Sequence, residues 1–183
     1  MTPLETLKPL PVDFVLGKTC LSWREALWGF EKGWLRWKSL IELAKHLQKT
    51  ELASEALDTL AQCGKDQSHE VGELAATLAL AEGQRDEKDI KAKWQHLVVS
   101  QIYEQRQRFD DYWRVIDEAY DDFDYPNDMN RFVSYTEECR ELHKHLVAQG
   151  EHDPGAALKA TMLTALKSYI QQGGLRFGIK TKT

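Results

Sequence analysis

Carboxylates are concentrated in one short stretch of this chain, residues 109–130, FDDYWRVIDEAYDDFDYPNDMN. The stretch contains a single base, Arg114, and eight acids: Asp110, Asp111, Asp117, Glu118, Asp121, Asp122, Asp124 and Asp128. The whole chain has a formal net charge of −5, so the remaining residues carry a small net positive charge. Clustered carboxylates can form an acid–base pair, bind a divalent cation, or attract a basic macromolecule.

The first two of these chemistries fit the spacing poorly. General acid–base catalysis requires a carboxyl group with a perturbed pKa in a cleft, and neighbouring acids on an exposed helix face do not provide one. The spacing of the acids also differs from that of a calcium-binding loop. We therefore predict no catalytic residue and no enzyme. A solvated face of a surface helix remains the alternative to a binding role.

Cys139, His143 and His145 come nearest to a metal or nucleophile motif. Cys139 and His143 are four residues apart and would share a helix face, but both also fall in the apolar stripe of that helix. No second cysteine pair and no H-E-x-x-H sequence accompanies them. A core thiol beside a partly buried histidine accounts for the spacing, so we predict no metal site.

Five aromatic residues near the start of the chain suggest a platform on which nucleic-acid bases could stack: Trp23, Trp28, Phe30, Trp34 and Trp37. Stacking platforms work together with a basic groove, whereas tryptophans at helical spacing more typically form a core. The sequence pI of about 5.7 also disfavours phosphate binding. No glycine-rich phosphate loop and no G-x-S-x-G nucleophile elbow occurs in the sequence. We expect no nucleic-acid partner, no cofactor and no small-molecule ligand.

The element that carries the acids is predicted to be an amphipathic helix. Its apolar residues recur at three- and four-residue spacing: Phe109, Tyr112, Trp113, Ile116, Ala119, Tyr120 and Phe123. The opposite face and the turn after it should then expose a row of acids, called the acidic ridge below: Asp110, Asp117, Glu118, Asp121, Asp124 and Asp128. We also expect Trp94, Trp113 and Phe123 to be buried.

The elements around this helix are predicted to be helical as well. Apolar periodicity of 3.6 residues continues almost without interruption from Ser22 to Gln172, which indicates an all-α fold of about seven or eight helices. Ser22 opens one helix with a capping box, Thr50 is a candidate cap for another, and one helix should run from about Met129 to Gly150. The last helix should stop at Gly173-Gly174. Only residues 12–16 fit a strand or a helical turn equally well.

Length and composition predict one compact domain, residues 1–183, with an N-terminal segment over 1–20 and a loosely held tail over 175–183. Apolar residues make up 42% of the chain, enough to bury a core without disulfides. The three cysteines are an odd number and widely spaced, which favours a reducing compartment. No apolar run approaches the ~20 residues that span a bilayer, and the first residues lack a secretory signal. We expect a cytoplasmic protein that does not bind membranes.

Two stretches, residues 21–35 (LSWREALWGFEKGWL) and 103–136, together resemble a helical bacterial family known as a domain of unknown function. The first stretch has the Leu-Ser-Trp, Leu-Trp-Gly and Gly-Trp-Leu elements of that family, and the second has an Asp-Phe-x-Tyr-Pro turn followed by Phe-Val-x-Tyr. The matching residues are Leu21, Ser22, Trp23, Leu27, Trp28, Gly29, Gly33, Trp34, Leu35, Asp122, Phe123, Tyr125, Pro126, Phe132, Val133 and Tyr135. The match is loose from His143 onward, so no role is carried over there.

Some members of that family are similar to immunity proteins encoded beside polymorphic or contact-dependent toxins. The resemblance therefore implies a cytoplasmic antitoxin that binds the C-terminal domain of a cognate toxin, with a basic nuclease, such as an RNase, as the favoured class. Combined with the charge pattern, it predicts a set of partner-binding residues: Asp110, Asp117, Glu118, Asp121, Asp124, Tyr125 and Asp128. The alternative is a helical adaptor that binds another basic protein with no toxin involved.

Overall fold

The computed structural model of the protein describes residues 2–49 and 54–180, and within these ranges all regular structure is helical, with no strand. The all-α prediction is confirmed. The α-helices of the described ranges are α1 (Val12–Lys18), α2 (Trp23–Glu31), α3 (Trp37–Leu47), α4 (Glu55–Gln62), α5 (Val71–Ala81), α6 (Glu87–Glu104), α7 (Tyr112–Asp122), α8 (Glu137–Ala148) and α9 (Pro154–Phe177). Short 3₁₀ turns occupy Glu5–Leu7, Lys65–Gln67, Arg106–Arg108 and Asn127–Phe132.

Eight of these helices lie where the periodicity predicts them. The additional helix, α1, contains residues 12–16, whose sequence fits a strand and a helical turn equally well. The candidate cap Thr50 lies outside the described residues.

Packing divides the chain into two compact units, one ending at Trp94 and the other beginning at Gln95, and α6 contributes residues to both. The prediction of a single domain over residues 1–183 stays a prediction. Residues 93–102 of α6 are buried on every side of the helix, as its wide apolar band indicates. Trp94 is fully buried there, as predicted.

In the first unit, α2 packs against α5, and α3 packs against α4 and α5. The start of α2 is fixed by the predicted capping box: the Ser22 hydroxyl accepts from the Glu25 N–H at 3.2 Å, and the Glu25 carboxylate accepts from the Ser22 N–H at 2.9 Å. Glu82, the residue after α5, adds a second carboxylate that accepts from the Trp23 N–H at 2.8 Å. Negative charge at this end of α2 also complements the helix dipole.

Glu25 is also the centre of a buried ion pair. Lys93 Nζ lies 2.7 Å from Glu25 Oε2, and both side chains are less than a tenth exposed. The same ammonium group donates to the Cys20 carbonyl oxygen at 2.7 Å. Buried charges are tolerated when they are paired and hydrogen-bonded in this way.

In the second unit, α8, α9 and the turn Asn127–Phe132 pack together around Met129, Phe132 and Leu166. Phe123 is buried as predicted. The helix predicted from Met129 to Gly150 is shorter than expected and begins at Glu137. The reason is Thr136, whose hydroxyl caps α8 by accepting from the Cys139 N–H at 3.4 Å and donates to the Asn130 carbonyl oxygen at 2.7 Å.

The predicted stop at Gly173-Gly174 is wrong, because α9 continues to Phe177. Gly173 is buried against the ring of His96, and a Cβ atom at position 173 would lie 2.3 Å from His96 Nδ1. The glycine therefore provides space for a neighbouring side chain rather than a helix end. Gly178, with φ of +63°, ends the helix instead, and Ile179 beyond it is buried. Leu175 is 83% exposed, and the loosely held tail expected over residues 175–183 stays a prediction.

Trp113 is only half-buried, so the prediction that it belongs to the core is wrong. The buried face of α7 is formed by Val115, Ile116, Ala119 and Tyr120. This face includes Val115, which the predicted stripe omits, and the helix is therefore turned so that Trp113 lies at the edge of the buried face. Truncation of Trp113 should cost less than the ~3–5 kcal/mol typical of a fully buried aromatic side chain.

Candidate protein-binding surface

The acidic ridge is built on α7, whose first turn is held by Asp111. The Asp111 carboxylate accepts from the Trp113 N–H at 3.1 Å and so satisfies one of the unpaired donors at the helix start. The ridge acids do not share one environment. Asp110, Asp121, Asp124 and Asp128 are exposed, whereas Asp117 and Glu118 are half-buried.

The expectation that all six ridge acids face solvent is therefore wrong for two of them. Asp121 lies opposite the centre of the buried face of α7, while Asp117 and Glu118 lie on its two flanks. Glu118 contacts Arg114 Nε at 3.5 Å across one helical turn. Ion pairs at this i,i+4 spacing stabilise a helix by only a few tenths of a kcal/mol.

Asp117 is held by the loop that precedes α8. Its carboxylate accepts from the Ser134 N–H at 3.0 Å and also from the Ser134 hydroxyl. Burial raises the pKa of Asp117 above its ordinary value, the Ser134 hydrogen bonds oppose the rise, and the charges of Asp111 and Asp121 add to it. Asp121 is tied to the same loop, because its carboxylate accepts from the Tyr135 hydroxyl.

Asp128 is exposed but also belongs to a polar network in the second unit. Gln95 Nε2 donates to Asp128 Oδ1 at 2.9 Å and to the Tyr169 hydroxyl at 2.6 Å. This acid therefore supports the structure as well as lying at the surface. The sequence does not indicate this role, because Gln95 and Tyr169 are distant from Asp128 along the chain.

The turn at the end of α7 has a defined geometry, a Schellman motif. The Tyr125 N–H donates to the Tyr120 carbonyl oxygen at 2.9 Å, and the Asp124 N–H donates to the Asp121 carbonyl oxygen at 3.1 Å. Asp124 and Tyr125 both have φ of +57°. A left-handed conformation is uncommon for residues other than glycine, and here it occurs at two residues in succession.

Within the part of the chain that the structure describes, two other helix ends have the same motif with glycine at the corresponding position. After α2, Gly33 has φ of +78°, and after α8, Gly150 has φ of +74°. Their hydrogen bonds match, with Trp34 donating to Gly29 at 2.7 Å and Glu151 donating to Leu146 at 3.1 Å. At the end of α7, the position that favours glycine is occupied by an exposed acid.

Three tyrosines are grouped beside this turn. Tyr125 and Tyr135 both pack edge-on against Tyr120, with ring centroids 5.4 and 5.9 Å away. The Tyr120 hydroxyl donates to Asn130 Oδ1 at 2.8 Å, which fixes the central ring. Tyr125 and Tyr135 remain 60% and 44% exposed. The arrangement presents two positioned aromatic side chains among carboxylates.

The other candidate chemistries do not assemble. Cys139 is buried with its Sγ 3.6 Å from the Asn130 carbonyl oxygen, whereas His143 is exposed. In the described parts of the chain, no three His, Cys, Asp or Glu side chains lie together in a way that could hold a metal ion. Trp23 and Trp34 are buried in the first unit, as a core role requires. No helix within residues 2–49 and 54–180 is both long and apolar enough to cross a bilayer.

Comparison with known families adds one result. The family model described as "Uncharacterized protein conserved in bacteria (DUF2247)" matches residues 12–173. The chain belongs to this family. The match extends beyond both stretches that carry the resemblance and includes most of α9, where the resemblance is loose. No curated protein and no solved structure matches the chain.

Several residues that carry the family resemblance cap a helix, form a turn or lie in the core of this chain. Ser22 caps α2, Gly33 provides its left-handed turn, and Phe123 is buried at the end of α7. Tyr125 and Tyr135, by contrast, are exposed. Sequence reasoning identified Tyr125 but omitted Tyr135 from the site, although both belong to the matched pattern and lie in loops beside the acids.

Proposed function

We propose that this protein is an immunity protein, a non-enzymatic inhibitor that binds the basic surface of a cognate bacterial toxin domain. A nuclease, such as an RNase, is the toxin class put forward. The single observation that carries the proposal is the end of α7, where Asp124 and Tyr125 both adopt φ of +57° and Tyr125 stays 60% exposed. Left-handed residues other than glycine cost about 1–3 kcal/mol each and concentrate at functional sites.

Charge supplies the second argument. Nuclease domains carry basic surfaces because they bind phosphate, and an exposed row of acids complements such a surface. Electrostatic steering of this kind raises association rates by roughly 10- to 1000-fold. Rapid capture suits an inhibitor that must act before the toxin turns over its substrate. A cytoplasmic location, predicted from the sequence, is where such an inhibitor would meet a toxin that has entered the cell.

Tyr125 fits the role of the central anchor. Tyrosine is enriched among residues that dominate binding energy, and Tyr125 is positioned by Tyr120 before any partner arrives. A pre-positioned side chain loses less conformational entropy on binding. Asp110 and Asp124 would act around it, mainly through the association rate.

The test is co-purification of the full chain with the C-terminal domain of whatever protein the gene immediately upstream encodes, followed by kinetic measurements. Tyr125→Asn removes the ring and keeps a residue that tolerates the left-handed region; it should weaken binding by about 2 kcal/mol or more, mostly through faster dissociation. Asp110→Asn combined with Asp124→Asn should instead slow association and reduce its salt dependence.

A matched control removes two exposed acids from the first unit, Glu31→Gln with Glu73→Gln. This variant changes net charge by the same amount and should leave the local contacts of the ridge intact. If Asp110→Asn with Asp124→Asn changes the association rate and its salt dependence no more than this control does, the acidic ridge is a solvated face. If the chain binds the toxin domain but does not protect cells that express it, the adaptor alternative replaces the immunity proposal.

A further inference from the structure

A pocket of about 300 Å³ opens beside the acidic ridge, lined by residues of α7, α8, α9 and the loop before α8. Trp113 lines it, and its half-buried ring is in contact with Tyr112 at a centroid distance of 4.7 Å. Leu158 and the buried Met162 supply the apolar lining from α9. The half-buried position of Trp113, unexpected from the sequence, thus places a partly accessible aromatic side chain at the wall of a pocket.

Carboxylates accompany this aromatic face. Asp111 and Asp117 both line the pocket. Asp117 is half-buried, and the neighbouring charges that act on its pKa are those of Asp111 and Asp121, which are also negative. A cation that entered the pocket would lie close to the carboxylates of Asp111 and Asp117 and would be stabilised by them.

The pocket is also lined by two basic residues and a histidine, which would disfavour a bound cation. Arg114 is 71% exposed and contacts Glu118, while Lys159 and His143 are exposed residues of α9 and α8. Exposed charges act through water and are strongly screened. Asp117, which is less exposed, should therefore influence a bound group more than they do.

We propose that this pocket binds an arginine side chain of the protein partner, with the guanidinium group on the face of Trp113 and near Asp117. Tryptophan is the best aromatic partner for a cation, and guanidinium groups both stack on rings and pair with carboxylates. The aliphatic part of the side chain would contact Leu158 and Met162. The inference rests on the proposed function, because it assigns one basic residue of the partner to a defined place.

The experiment uses the full chain and a minimal probe, N-acetyl-arginine amide, followed through the indole N–H signal of Trp113 by NMR. N-acetyl-citrulline amide has nearly the same shape without the charge and is the matched control ligand. The arginine probe should shift the Trp113 signal saturably and bind about tenfold or more tightly than the citrulline probe. Absence of a saturable shift, or equal binding of both probes, would overturn the assignment.

Three variants and one control variant test whether binding of the arginine probe changes in the expected direction. Gly155→Leu should block the pocket: a Cβ atom at this position meets nothing closer than 3.5 Å, so the chain can accept it, and Ala156→Leu on the same exposed turn is the control outside the pocket. Asp117→Asn should weaken binding of the arginine probe. Lys159→Gln should strengthen it about twofold to fivefold, whereas a pocket for anions would respond to both charge changes in the opposite sense.

Failure of this inference is distinguishable from failure of the proposed function. If the probe does not bind but the toxin domain is still captured through Tyr125, the pocket assignment is wrong and the immunity proposal stands. If the probe binds as expected but no toxin domain is captured, the arginine pocket stands and the identity of the partner must be revised.

Discussion

The indole ring of Trp94 lies directly against Gly29, so closely that a Cβ atom at position 29 would come within 2.1 Å of Trp94 Cζ2. Trp94 Nε1–H also donates to the Glu25 carbonyl oxygen at 2.8 Å, one turn earlier in α2. The Gly29 carbonyl oxygen accepts from the Trp34 N–H at 2.7 Å. The ring therefore packs on the backbone of α2, which explains the glycine of the Leu-Trp-Gly element.

Gly29→Ala should consequently destabilise the protein by about 1–3 kcal/mol, because the added methyl group meets a rigid ring in a packed core. The free energy of unfolding from urea titrations measures the effect. Gly17→Ala is the matched control, since Gly17 is also helical but a Cβ atom there meets nothing within 4 Å. That change should stabilise by roughly 0.5–1 kcal/mol through helix propensity. Equal effects of the two substitutions would contradict the close packing.

Lys93→Met should destabilise the protein by about 3–5 kcal/mol, because it leaves the buried Glu25 carboxylate without its principal partner. Arg85 also contacts Glu25, at 3.4 Å, but its side chain is 54% exposed and compensates little. Combining the change with Glu25→Gln should recover part of the loss, since no buried charge then remains. Thermal unfolding of the single and double variants measures both the loss of stability and its recovery. If the double variant recovers nothing, the Lys93 ammonium group stabilises the protein mainly through its hydrogen bond to the Cys20 carbonyl oxygen.

Buried His96 should make the free energy of unfolding of the protein sensitive to acid. Its ring is buried and stacked on Tyr169 with centroids 3.9 Å apart, and Nδ1 has no hydrogen-bond partner in the described structure. Burial lowers the pKa of His96 from 6.5 to about 4; the charge of Asp128 opposes the shift and that of Arg176 adds to it. Between pH 6.5 and about pH 4 the unfolded chain therefore binds a proton that the folded chain does not.

The stability contributed by neutral His96 is thus present above pH 6.5 and is lost as the pH falls toward 4, by about 3 kcal/mol in total. His96→Phe should remove this part of the pH dependence. The comparison must be between the two proteins, because Asp117, with its raised pKa, changes stability in the opposite sense as the pH falls. Direct titration of the His96 ring by NMR provides the check; a pKa near 6.5 in the folded protein would refute the prediction.

Asp124→Gly should stabilise the protein by roughly 0.5–1 kcal/mol, since glycine adopts the left-handed conformation without the steric cost that aspartate bears. The reciprocal change Gly150→Asp, at the corresponding position after α8, should destabilise by a similar amount. The midpoints of urea unfolding measure both changes in stability, provided that the m-value is the same in the two variants and the wild type. A loss of stability in Asp124→Gly would mean that the carboxylate stabilises the turn, which would remove the argument that this acid is kept for binding.

Local signals were sufficient to predict much of the fold. The Ser22–Glu25 capping box and the periodic apolar residues depend on neighbours within one or two helical turns, so they are visible in the sequence. Gly173 could not be interpreted in this way. A glycine pair resembles a helix end, and the reason that α9 continues is the ring of His96, which only the tertiary structure places beside it.

The candidate site was predictable to the same degree. The charge of the acidic ridge and the exposure of Tyr125 follow from the pattern of α7. The attachment of Asp117 to Ser134 and of Asp121 to Tyr135 does not, because the partners lie in a loop whose conformation has no periodic signal. The half-buried position of Trp113 was missed because it lies where the apolar face ends, and a shift of a few tens of degrees decides its exposure.

The two carboxylates at the start of α2 differ in when they become available as the chain folds. Glu25 is three residues from Ser22 and can close the capping box as soon as the first turn forms. Glu82 accepts from the Trp23 N–H and is 59 residues away along the chain. It reaches the helix only after the intervening chain has folded back, and closing that loop has an entropic cost. The local carboxylate is therefore expected to assist the nucleation of α2, whereas the distant one should act mainly by slowing unfolding.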